Sequence, residues 1–205
     1  VGKCPGSRIV VEGGTALSTS SELWSGSTGK PNTVFEVNDS TVTFGNKVEF
    51  DSYNEYFGSV MRLSGAGAKV TAAYFHTKYA ASTNVVEFLI PSGGYNAVPM
   101  LSTSTANMFP NVLAGASLTL RVSKSSPGLS GIPRHGIQLV QSAGGMNVEK
   151  LIFEDVKPSV NGFFFKDADG NKYADAAAIE TAGKTAAQIT QIWYRGPARP
   201  LTIVV

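Results

Sequence analysis

The sequence predicts a mainly β chain, an antiparallel β-sandwich of the jelly-roll kind with one helix near its C-terminal end. Three observations carry that expectation. Apolar residues recur with a period of two, Gly-rich turns separate the apolar runs at short intervals, and one alanine-rich segment breaks the pattern. A chain of 205 residues hides roughly 70% of its unfolded surface on folding, so a core forms without disulfide staples.

Taken in order, RIVV at 8–11 is the first candidate strand. It lies in a Gly-, Ser- and Thr-rich stretch, 1–31, that reads as an N-terminal arm and holds Trp24. The single domain is expected over 32–205. NTVFEV at 32–37 opens it, followed by STVTF, with Val42 and Phe44 on one face, and NKVEF, with Val48 and Phe50. SVMRL at 59–63, KVTAAYF at 69–75 and VVEFLI at 85–90 continue the pattern. In SLTLRVS, Leu118, Leu120 and Val122 share a face opposite Thr119 and Arg121, and GIQLV at 136–140, LIF at 151–153 and FFF at 163–165 follow. VNDS, SGAGA, PSGGYN, SSPGLSG and QSAGG supply the turn chemistry between them. From 173 to 195 alanines dominate and Ile189 and Trp193 are spaced as an i, i+4 pair, which predicts a helix interrupted near Gly183. GPARP ends it, and LTIVV at 201–205 reads as a terminal strand. No internal repeat is read in the chain.

Charge excludes several functions. Only 16% of residues are charged, against about 25% in an ordinary soluble domain. The balance is made up by Gly, Ser, Thr, Ala and Asn. Such a polar, uncharged surface suits an exported protein, or a subunit whose faces are covered by its own copies. The net charge is +2 with no basic run, so nucleic acid is not indicated as a partner. No stretch approaches ~18 consecutive apolar residues, so no membrane span is expected. Cys4 is the one cysteine, which rules out an intrachain disulfide, a Cys-based zinc site and a CxxC pair.

The most motif-like stretch is KDADGNKYAD at 166–175. Asp167, Asp169 and Asp175 are candidate calcium ligands, because hard calcium takes several carboxylate oxygens. In the EF-hand pattern glycine stands sixth, and counting back from Gly170 puts Phe165 where the first ligand belongs. The stretch therefore reads first as a hairpin turn centred on Asp169-Gly170. GLSGIP at 128–133 resembles the nucleophile loop of chymotrypsin-like serine proteases, and the resemblance would make Ser130 a nucleophile. His76 is the only upstream histidine, and no aspartate lies between it and Ser130, so the His–Asp–Ser order fails and PGLSG reads as a turn. His76 and His135 form no HExxH pair. Glu154 and Asp155, adjacent on a strand, point to opposite faces and are not a paired general acid and base. Tyr53, Tyr56 and Phe57 in DSYNEYF are a candidate ligand or contact patch.

With no catalytic set readable, the expectation is a non-catalytic structural subunit. It would assemble with copies of itself through β-sandwich contacts into a viral capsid or coat, or an extracellular filament. Leu201, Ile203 and Val205 of the terminal strand would add to a neighbour's sheet edge. The location expected is extracellular or the virion, and no cofactor is expected apart from the calcium candidate. The alternative is a secreted carbohydrate-binding β-sandwich module, and the third reading is a hydrolase whose site is not recognisable from sequence.

Overall fold

A computed structural model describes residues 8–21, 23–25, 33–50, 59–77, 83–92, 99–104, 108–109, 116–156 and 162–196. The chain winds in successive coils. The first coil holds β1 (Arg8–Val11), β2 (Ala16–Thr19) and β3 (Leu23–Ser25); the second holds β4 (Thr33–Asn38), β5 (Thr41–Phe44) and β6 (Val48–Phe50). The third holds β7 (Ser59–Ser64), β8 (Lys69–Ala72) and β9 (Phe75–Thr77), and the fourth β10 (Thr83–Leu89) and β11 (Leu101–Thr103). The fifth holds β12 (Ser117–Val122) and β13 (Ile137–Met146), and β14 (Ile152–Glu154) begins a sixth. The chain then folds back through β15 (Phe163–Asp167), β16 (Lys172–Tyr173), α1 (Ala176–Thr181) and β17 (Ile189–Tyr194).

Each coil lays one strand on each of up to three faces. The first face is β1-β4-β7-β10-β12-β14, parallel throughout. The second runs β2-β5-β8-β11-β13 in parallel, then adds β17, β15 and β16 by antiparallel pairing. The third is β3-β6-β9, again parallel. This is a β-solenoid: each strand rests on the strand one coil earlier, which forces parallel pairing and a repeat of one coil.

The period-two pattern sets which side chains enter the interior. On the first face Phe35, Met61, Val86, Leu120 and Phe153 stack in one row, and Val37, Leu63, Phe88 and Val122 in the next. On the second face the inward row is Leu17, Val42, Val70, Leu101, Val140, Ile192, Phe165 and Tyr173. A slip of one residue in any strand would turn its whole row outward, so burial of these rows fixes the register.

The mainly β composition with a helix near the C-terminal end stands, but the antiparallel sandwich does not describe the pairing. Alternation reports only that one face of a strand is buried, and a solenoid strand meets that condition as well as a sandwich strand does. β1, β2 and β3 of the first coil fall within 1–31, the stretch expected as an arm. Of the helix expected over 173–195, six residues form, from Ala176 to Thr181. Asp175 caps it, its Oδ1 accepting from the Ala178 N–H at 2.8 Å, and Gly183 ends it at φ +68°. Ile189 and Trp193 lie on β17, because the segment is rich in β-branched and aromatic residues and Ile189, Ile192, Trp193 and Tyr194 pair with both β13 and β15. The hairpin centred on Asp169-Gly170 is present between β15 and β16, with Gly170 at φ +86°.

The two ends of the solenoid differ. At the C-terminal end α1 and the 3₁₀ turn Ala186–Gln188 bring Ile179 and Ala186 into the core. β1, β2 and β3 are the outermost strands of their sheets at the other end, each paired on one side only among the described residues, as β14, β16 and β9 are at the opposite edges.

Candidate functional site

Two features stand out along the solenoid: a charge ladder on the first face and the open end below it. The ladder occupies the outward row next to the core rows. Glu36, Arg62, Glu87, Arg121 and Glu154 are direct cross-strand neighbours on β4, β7, β10, β12 and β14, about 4.8 Å apart from coil to coil. Arg8 joins from β1, reaching Glu36 Oε2 through Nη2 at 2.7 Å and Nε at 3.1 Å. Arg62 Nη1 approaches the same oxygen at 3.5 Å, and its Nε donates to Glu87 Oε2 at 2.7 Å. Arg121 continues the series, with Nε 3.3 Å from Glu87 Oε1 and Nη1 3.4 Å from Glu154 Oε2. The hydrogen bond to Glu87 raises the pKa of Arg62 above its ordinary value. Three arginines and three glutamates alternate, so the row is internally neutral.

At the C-terminal end of the ladder a cleft of about 650 Å³ is lined by Glu87, Arg121, Ser123, Lys124, Phe153 and Asp155, among others. Its carboxylates are engaged. Glu87 and Glu154 both face Arg121, while Asp155 accepts from the Tyr194 hydroxyl at 2.6 Å and from the Gly162 N–H. This cleft is a braced polar surface rather than a free acid and base pair.

The open end is visible in the core itself. Leu17 occupies the inward row of the second face, yet it is 44% exposed, whereas Val42, Val70, Leu101 and Val140 behind it are 0% exposed. Ile9 and Val11 of β1, aligned with the inward residues Phe35 and Val37, are only partly buried. These three apolar side chains point along the core with no strand stacked on their free side among the described residues.

The sequence-predicted sites fall as follows. Asp167, Asp169 and Asp175 do not converge. The buried Asp167 carboxylate is held by the Asn171 side-chain amide at 2.9 Å, the Tyr173 hydroxyl at 2.8 Å and the Asn171 N–H at 2.9 Å. These bonds lower its pKa to about 2, the Asn171 side chain contributing most, and the bond to Asp167 raises that of Tyr173. Asp175 is spent on the cap of α1 and Asp169 is exposed in the turn. Among the described residues no group of three His, Cys, Asp or Glu is arranged to hold a metal ion. Tyr53, Tyr56 and Phe57, and Leu201, Ile203 and Val205, lie outside the described residues.

Ser130 is exposed on a 3₁₀ turn, and His76 sits on β9 with Nε2 2.9 Å from Glu49 Oε2, so the pair is not assembled. The glycine of the GLSG stretch has a packing reason instead: a Cβ on Gly128 would lie 1.9 Å from the Pro91 carbonyl oxygen. SGAGA is the corner between β7 and β8. Gly65 there has φ +87°, and its Cβ would meet the Asp39 backbone nitrogen at 2.8 Å.

No protein-family model, curated protein or solved structure matches the chain. No helix among the described residues is long and apolar enough to cross a membrane.

Proposed function

We propose that the chain is a non-catalytic structural module of an extracellular assembly, which joins a second copy of itself through the open end of its first coil. The observation that carries this reading is Leu17: a core-row leucine left 44% exposed at an end where β1, β2 and β3 each have a strand on one side only among the described residues. Unpaired strand edges beside apolar side chains are a template for further strand addition. The opposite edge strands β14, β16 and β9 expose no core-row apolar side chain as Leu17 is exposed, so association at the Leu17 ends is favoured and gives an isologous pair, each copy presenting the same surface. The low charge content fits an exported protein better than a cytosolic one.

The test is light scattering during size-exclusion chromatography of the native chain and of Leu17→Lys. The native chain is expected to run at twice the 21.5 kDa protomer mass or above. Leu17→Lys should run as a monomer with an unchanged far-ultraviolet dichroism spectrum, because an edge lysine opposes strand addition. A native chain that stays monomeric at high concentration would defeat the proposal.

A further inference from the structure

The outer surface of the second face points to a second role, independent of self-association. Phe164 on β15 is buried, yet it lies outside the interior core: its neighbours Phe163 and Phe165 point inward, and it points out. Its ring stacks on Trp193 of β17, with centroids 6.0 Å apart. Three cations are held against this aromatic pair. Lys166 Nζ stands 3.7 Å from the centre of the Trp193 ring, Lys172 Nζ 4.1 Å from that of Phe164, and Arg195 5.3 Å from the same ring. Among the described residues no salt bridge joins any of the three to a carboxylate. Their crowding registers in Lys172, whose pKa is lowered first by desolvation and then by Arg195 and Lys166.

An uncharged polar track leads away from this patch. Across the sheet the outward row reads Lys172, Lys166, Gln191, Gln141, Ser102, Thr71, Thr43 and Ser18. Thr71 and Ser102 share a hydrogen bond at 2.9 Å, and Trp193 Nε1 donates to Gln191 at 2.7 Å. The row is a line of hydroxyls and amides repeating about every 4.8 Å, with cations at one end. Ser102 in it is buried, so the accessible groups are those of Gln191, Gln141, Thr71, Thr43 and Ser18.

We propose that this face binds an acidic polysaccharide, whose carboxylates meet Lys166, Lys172 and Arg195 and whose hydroxyls run along the Ser, Thr and Gln row. Cation–π contact fixes the cations before the ligand arrives, which lowers the ordering cost of binding. A row of hydroxyls and amides suits sugar hydroxyls, whereas a nucleic acid would call for basic residues along the whole track. Acidic peptides have no such array of hydroxyls to offer.

The experiment is a titration of the full chain with alginate, followed by the fluorescence of Trp193, with dextran and a single-stranded DNA oligonucleotide as comparison polymers. Alginate should bind, more weakly as salt rises, with a fluorescence change that Trp193→Phe removes. Dextran should not bind, and DNA should bind at least about tenfold more weakly than alginate, a 1.4 kcal/mol difference. The triple variant Lys166→Gln, Lys172→Gln, Arg195→Gln should lose at least about tenfold in alginate affinity while its dichroism spectrum is unchanged. If that variant does not fold, Thr43→Val with Thr71→Val tests the other half of the face and should weaken alginate binding. No alginate binding at low salt, DNA binding equal to alginate, or full affinity in a folded triple variant would each overturn the assignment. So would full affinity in the threonine pair.

Discussion

Replacing Glu87 with glutamine tests whether the charge ladder holds the coils together. Glutamine keeps the shape of the side chain and one oxygen for the Arg62 Nε bond, so the change removes the charge and turns the group facing Arg121 from an acceptor into a donor. The Glu87 side chain is 9% exposed, and its partners Arg62 and Arg121 are 34% and 36% exposed. An exposed pair contributes about 0.2–1 kcal/mol, and breaking a buried one costs about 3–5 kcal/mol. Here a nearly buried acceptor meets two one-third-exposed donors, and its neutralisation leaves two guanidinium groups flanking an uncharged side chain. The expected loss is about 2 kcal/mol, between the two classes. At roughly 2–4 °C per kcal/mol for a chain of this size, Tm falls by about 4–8 °C. Glu154 is the control. It stands at the end of the row with its side chain 50% exposed and one arginine at 3.4 Å, so Glu154→Gln should cost less than about 0.5 kcal/mol. Thermal unfolding followed by circular dichroism at low and at high salt measures both, and the Glu87 effect should shrink as the Debye length falls. Equal losses at the two positions would refute the reasoning, because they would mean that burial and two-sided pairing add nothing.

Other predictions follow from the turns and the cap. The folded pKa of Asp167, about 2, lies below the unfolded value, so its contribution to stability is present in full above the unfolded pKa of ~3.9 and is lost as pH falls toward 2. Asp167→Asn should therefore flatten the stability curve across that acid window, read from denaturant midpoints at successive pH values. Asp175→Ala should cost about 1 kcal/mol through loss of the helix cap, and added calcium should shift neither its Tm nor that of the native chain. Gly65→Ala should destabilise by more than the ~1–2 kcal/mol that a left-handed conformation alone costs, because its Cβ also meets the Asp39 backbone at 2.8 Å; a Tm within error of the native value would contradict the corner geometry.

Much of the strand content was legible because burial on one face imposes a period of two whatever the partner strand. RIVV, SVMRL and SLTLRVS all lie on strands close to where their patterns put them. Pairing direction was not legible, since alternation carries no information about which strand lies alongside. The repeat escaped because the coils differ in length. Cross-strand partners on the first face stand 26, 26, 25, 34 and 33 positions apart (8 to 34, 33 to 59, 60 to 85, 83 to 117, 119 to 152). A signal was nevertheless available in VFEV, VMRL, VVEF, TLRV and IFED, where the third residue is Glu, Arg, Glu, Arg, Glu. That alternation is the ladder, and it needs no structure to be seen once the five segments are stacked. The alanines between 173 and 188 misled because helix propensity is a weak prior, and β17 is drawn into a sheet by two flanking strands. Phe164 and Trp193 were readable as aromatics but not as an outward pair, since FFF gives no hint of which ring turns away from the core.

The alternating ladder also restricts how such a chain can lengthen or shorten. Removing one interior coil would bring Glu against Glu or Arg against Arg at about 4.8 Å, and duplicating one coil would do the same. Removing or inserting two coils together restores the order of signs. For a solenoid built this way, internal insertions and deletions that keep the order of charges come in steps of two coils, so parity rather than length is what the ladder constrains.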